Sequence, residues 1–136
     1  MEYPIVTGST ANGRRRRGFT LIELLVVMSI IGVLLTIAVP RYFRTVQRSK
    51  ETVLRKDLSV VRESIDRYYG DLGQYPEELG SLVEKHYIRN VPVDPFTKSA
   101  QTWLLVASDD PDHPGLRDIH SGSPDMASDG SPFVSW

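Results

Sequence analysis

Between Phe19 and Val39 the chain runs 21 residues with a single formal charge, Glu23. That run, "FTLIELLVVMSIIGVLLTIAV", limits the fold more than any other feature. As a helix rising ~1.5 Å per residue it would span roughly 31 Å, about the hydrocarbon thickness of a bilayer. A secretory signal peptide has a shorter apolar region that ends in a small-residue cleavage site. Val39-Pro40-Arg41 is a poor site of that kind, so the reading is a retained membrane helix. Four arginines, Arg14 to Arg17, precede it, and the positive-inside rule then puts the N-terminus in the cytoplasm and the remainder across the membrane.

Charge is uneven along the chain. Residues 1–18 hold four Arg and one Glu, whereas the rest holds twelve basic and sixteen acidic residues. The whole is nearly neutral, which gives no reason to expect a nucleic-acid partner. The absence of cysteine excludes a disulfide framework, a thiolate metal site and a cysteine nucleophile.

Pro40 either stops the helix or kinks it. Apolar residues at Val46, Val53, Leu54, Leu58, Val61, Ile65, Tyr68 and Tyr69 recur mostly at steps of three, four or seven. They favour continuation, as one helix from about Phe19 to Tyr69, broken at Gly70 and Gly73. Arg48, Lys50, Glu51, Arg55, Lys56, Arg62, Glu63 and Arg67 fall between them and read as a solvated face. Pro76 is expected in the first turn of a short helix before Leu79, Leu82 and Val83. "VPVDPFT" is expected to be extended. Thr102–Ala107 and "LRDIHS" read as strands, and "VSW" as a last edge. The expected fold class is α+β, a long helix whose amphipathic half packs on a small antiparallel sheet. The domains are a basic leader over 1–18, a membrane helix over 19–39, for which the resemblance given next implies a role in polymerisation, and a globular domain over 40–136.

The junction "RGFTLIELLVVMSIIGVLLTIAVPRY" resembles the signal of type IV pilins and type II secretion pseudopilins. In that family a basic leader ends in glycine, and an aspartyl prepilin peptidase cuts after it. Phenylalanine follows, glutamate comes four residues later, and a proline closes the apolar segment. Gly18, Phe19, Glu23 and Pro40 fill these places. The resemblance implies cleavage after Gly18 and methylation of the new Phe19 amine. It also implies a role in assembly for Glu23, whose carboxylate would neutralise the amine of a neighbouring subunit. Gly32 and Pro40 are places where the helix could loosen during packing.

Tyr75-Pro76 and Val91-Pro92-Val93-Asp94-Pro95 resemble the region after the long helix in the major (G-type) pseudopilin of type II secretion systems. "DIHSGSPDMASDGSPFVSW" resembles its ending, including Ser135-Trp136. The resemblance implies one calcium ion in the C-terminal loop, with Asp125 and Asp129 supplying carboxylates and Gly122 a backbone carbonyl. Two departures stand out. "SPD" replaces the family's "GAD", and the acids before the final tryptophan are reduced to Asp129. The alternative reading of the loop is a solvated acidic turn.

His86, His113 and His120 lack ligand spacing, and Trp103 and Trp136 read as packing residues. No grouping points to an enzyme. The implied function is a structural subunit of the type II secretion pseudopilus, held in the inner membrane with a periplasmic domain. Its implied partners are copies of itself, prepilin peptidase, the minor pseudopilins and an inner-membrane assembly platform with its ATPase. The subunit would polymerise to drive export of folded proteins across the outer membrane. A type IV pilus subunit for adhesion, motility or DNA uptake is the alternative. A monomeric membrane-anchored binding domain is a third possibility.

Overall fold

The structure, a computed structural model, describes Gly8 and residues 18–136. The expected leader arginines, Arg14 to Arg17, lie outside the described residues. The chain divides into two units, Met1–Val39 and Pro40–Trp136.

Helix α1 is assigned over Leu21–Leu72, 52 residues with Pro40 inside it. In the first unit every described residue from Gly18 to Val39 is exposed, the aliphatic side chains included. This helix is long and apolar enough to cross a membrane.

In the second unit α1 carries one buried stripe, made of Leu54, Leu58, Val61, Ile65 and Tyr68. The spacing of three and four puts all five on one face. Val53, expected in that stripe, is 49% exposed, because it lies about 100° around the helix from Leu54. The helix passes Gly70 and ends at Leu72. Gly73 closes it with φ +67 and an N–H bonded to the Tyr69 carbonyl at 2.8 Å, a left-handed C-terminal cap.

Helix α2 covers Leu79–Glu84 and buries Leu79 and Leu82. Pro76 is not in its first turn. The Pro76 carbonyl instead accepts the Leu116 N–H at 2.7 Å, so the chain there is committed to the sheet before the helix begins.

Strands β1 (Leu104–Ala107) and β2 (Leu116–His120) pair antiparallel, with Leu104 opposite His120 and Leu105 opposite Ile119. A bulge between Val106 and Ala107 shifts the register. Strand β2 buries Leu116 and Ile119 against the α1 stripe, while Leu104 and Leu105 of β1 stay about half exposed. Trp103 is buried, and its indole donates to the Pro92 carbonyl at 2.9 Å.

"VSW" forms no strand. Phe133–Ser135 is a turn of 3-10 helix. Its cause is packing: fully buried Phe133 has its ring centroid 4.1 Å from that of Phe96 and 4.9 Å from that of Trp136. A flat edge strand could not direct both Phe133 and Trp136 inward. Among the described residues the architecture is therefore α+β, with a long helix over a two-stranded sheet.

Candidate functional site

Gly18, Phe19 and Thr20 precede the first helical residue, Leu21, and all three are exposed. A Cβ built on Gly18 would meet nothing within 4 Å, and its φ is not left-handed. Nothing in the described chain requires glycine at this position.

Thr20 and Glu23 form a reciprocal cap. Glu23 Oε2 accepts the Thr20 N–H at 2.8 Å and the Thr20 hydroxyl at 3.0 Å. The Glu23 N–H donates to Thr20 Oγ1 at 3.2 Å, and the Thr20 carbonyl accepts the Leu24 N–H. This is a capping box, which satisfies donors that a helix start leaves without partners. The signature Thr-x-x-Glu ahead of an apolar run is visible in "TLIE", so Glu23 has a local role beside the one in assembly. Glu23 Oε1 accepts no hydrogen bond from the described residues. One oxygen thus caps the helix while the other remains available to an outside cation.

Replacing Thr20 with valine keeps the shape and removes the hydroxyl. A threonine N-cap is worth about 1 kcal/mol. Amide exchange of Glu23 and Leu24, whose N–H groups are bonded to the Thr20 hydroxyl and carbonyl, should therefore quicken in detergent by roughly fivefold. Unchanged rates would mean that the cap contributes nothing.

Pro40 lies inside α1 and offers no N–H to the Thr36 carbonyl, so one rung of the helix is missing there. Gly32 has nothing within 4 Å of a built Cβ and lies on the exposed apolar helix.

The residues assigned to calcium lie close in sequence but do not converge. Asp129 Oδ1 already accepts the Ser131 N–H at 2.9 Å and the Ser131 hydroxyl at 2.6 Å. Its Oδ2 lies 3.7 Å from Arg55. The Ser131 hydroxyl, helped by the Ser131 N–H, holds this carboxyl below the usual Asp range. The Asp125 side chain is exposed, and its backbone carbonyl accepts the Phe133 N–H. Gly122 is needed for space, since a Cβ there would overlap the Thr102 carbonyl oxygen. Among the described residues no three His, Asp or Glu side chains gather as a metal cage. Calcium takes 6–8 oxygens. A donor set whose second carboxylate is bonded through one oxygen to Ser131 and faces a guanidinium with the other does not fit it.

Three side chains, Glu51, Arg62 and Asp94, organise this part of the molecule. Glu51, assigned to the solvated face, is 8% exposed and bonded to Ser128. Arg62, from the same face, bridges Asp118, Ile119 and Trp136. Asp94 is fully buried. Its Oδ1 accepts the N–H groups of Phe96 and Thr97, and its Oδ2 accepts the Ser121 hydroxyl. "DPFT" is thus a turn capped by Asp94 and not an extended segment. Burial, together with the charge of Asp94, pushes the nearby Asp57 carboxyl up.

An exposed apolar helix with a capped glutamate one turn in, continuing as the spine of a small α+β domain, defines a pilin-like subunit. The prokaryotic N-terminal methylation motif matches residues 13–39. The chain is 33% identical over 128 residues to the type II secretion system core protein G of Dickeya chrysanthemi, covering 82% of this chain and 80% of that protein. Against the core protein G of Escherichia coli (strain K12) it is 31% identical over 127 residues, covering 82% and 83%. The chain belongs to the type II secretion system core protein G family, the major pseudopilins, and is a structural subunit of the secretion pseudopilus. Likeness to the type IV major pilin protein of Myxococcus xanthus, 34% over 74 residues, covers only 52% of this chain and 34% of that one. No solved structure matches the chain.

Proposed function

We propose that this subunit waits in the inner membrane with its N-terminus cytoplasmic and the domain after Pro40 in the periplasm. Prepilin peptidase cuts after Gly18, the Phe19 amine is methylated, and an assembly platform with its ATPase draws the subunit into the filament beside the minor pseudopilins. The growing polymer pushes folded proteins across the outer membrane. The role is structural and not catalytic.

The observation that carries this reading is the junction itself. Among the described residues glycine has no local reason at position 18, since a side chain would meet nothing within 4 Å. The bare, exposed backbone of glycine at that place lets a protease approach it closely, and Phe19, Glu23 and Pro40 follow at the spacing of the methylation motif. Removal of the leader also removes all four arginines and leaves a cationic amine four residues before Glu23. The free Oε1 can then pair with the amine of an adjoining copy within the apolar packing of residues 19–39, where a charge without a partner is costly.

Intact mass of the protein purified from membranes tests the reading. The expected mass lacks residues 1–18 and carries one extra methyl on Phe19. A mass retaining Arg14 to Arg17 in active cells would overturn it.

A further inference from the structure

We propose that the C-terminal loop, residues 121–136, is fastened to α1 by a clamp of helix side chains, Glu51 and Arg62 above all, and needs no cation to close. Glu51, Arg55 and Arg62 stand at steps of four and seven, which places them within about 40° of one another around the helix. Each reaches the loop. Glu51 Oε1 accepts the Ser128 N–H and the Ser128 hydroxyl, both at 2.7 Å, and the Gln47 amide at 3.3 Å. Arg62 Nη2 donates to the Trp136 carbonyl at 2.7 Å and the Ile119 carbonyl at 2.8 Å. Its Nε donates to Asp118 Oδ1 at 2.6 Å. His120 Nδ1 meets the same Trp136 oxygen. The Arg55 guanidinium lies 4.2 Å from the centroid of the Trp136 ring, and the indole N–H donates to Ser131.

These contacts do what a metal staple does. They tie distant chain segments together through charged groups and satisfy backbone donors and acceptors of a loop that buries few apolar side chains. A buried carboxylate that accepts three hydrogen bonds is a strong fastening, because hydrogen bonds to ionised groups are about twice as strong as neutral ones. The donor set for a cation is correspondingly depleted. Asp129 Oδ1 is held by Ser131 and Oδ2 faces Arg55, so of the two carboxylates assigned to calcium Asp125 alone is uncommitted. A divalent ion placed there would sit against the guanidinium that packs on Trp136.

Amide exchange of the full-length protein in detergent, first with EDTA and then with calcium chloride, tests the clamp. The reporters are the N–H groups of Ala127, Gly130 and Phe133, bonded to the carbonyls of Ser131, Ala127 and Asp125. With EDTA they should stay protected, and calcium should change their rates by less than about twofold. Glu51→Ala should quicken them on the order of tenfold without rescue by calcium. Glu51→Gln, which keeps the acceptor oxygen but not the charge, should restore about half of the protection on a logarithmic scale. Should Glu51→Ala fail to fold, Ser128→Ala removes only the hydroxyl and should quicken the same amides by about fivefold while those of β2 stay slow. Loss of protection in EDTA that calcium reverses would overturn the proposal. So would unchanged loop exchange in both Glu51→Ala and Ser128→Ala.

Discussion

Glu23→Ala should yield processed subunits that do not polymerise. Sedimentable filament should fall by at least about tenfold, the loss expected when one member of a desolvated ion pair is removed. Cleavage after Gly18, read by intact mass, should proceed as in the unaltered chain. The alanine variant alone is ambiguous, because Glu23 also completes the capping box with Thr20. Glu23→Gln separates the two roles. Its amide oxygen can still accept from the Thr20 N–H and hydroxyl, so the helix start survives. Its charge is gone, so it cannot neutralise a neighbour's amine. The glutamine variant should therefore exchange slowly at residues 23 and 24 and still fail to sediment. Filaments of normal amount from Glu23→Gln would reduce the carboxylate to a cap.

That double use of Glu23 marks the limit of what could be read from residues alone. Local features were legible. The three-and-four spacing of Leu54, Leu58, Val61 and Ile65 located the buried face of α1, and the β-prone runs around Leu105 and Ile119 located both strands. These depend on a few neighbours in sequence. Features set by the return of a distant segment were not legible. Glu51 and Arg62 look like ordinary members of a charged helix face until Ser128 and Trp136 arrive against them, 77 and 74 positions later. Pro76 looks like a helix starter until its carbonyl is taken by Leu116. "VSW" has strand composition, but the rings of Phe96 and Trp136 twist it into a turn around Phe133. Two misses had local signals. Asp before Pro in "DPFT" announces a side-chain-capped turn, and Thr-x-x-Glu announces the helix start.

The largest loss of domain stability from a single added methyl is expected at Gly122. Leu104 faces His120 in the ladder, so continuing the same register outward sets Thr102 opposite Gly122. The Thr102 main chain lies close against Gly122, and a Cβ on residue 122 would run into the Thr102 carbonyl oxygen. The obstacle is main chain and cannot swing away. On one side it is anchored by buried Trp103. On the other it is anchored by buried Ser121, whose hydroxyl is held by Asp94. Gly122→Ala should therefore destabilise the domain by about 2–3 kcal/mol, the upper part of the range for overpacking. Urea unfolding of the full chain in detergent, followed by tryptophan fluorescence, would show a lower midpoint. Gly70→Ala provides the control. It lies on α1 with open space at its Cβ, and alanine there should be neutral or stabilise by up to about 1 kcal/mol. The comparison also separates two reasons for a glycine in the loop. A residue that serves only by lending its carbonyl to an ion loses nothing on becoming alanine, because the carbonyl remains. A residue that serves by having no side chain loses its place in the fold. Equal midpoints for Gly122→Ala and the unaltered chain would return Gly122 to the first role and remove the close approach to Thr102 from the account of this fold.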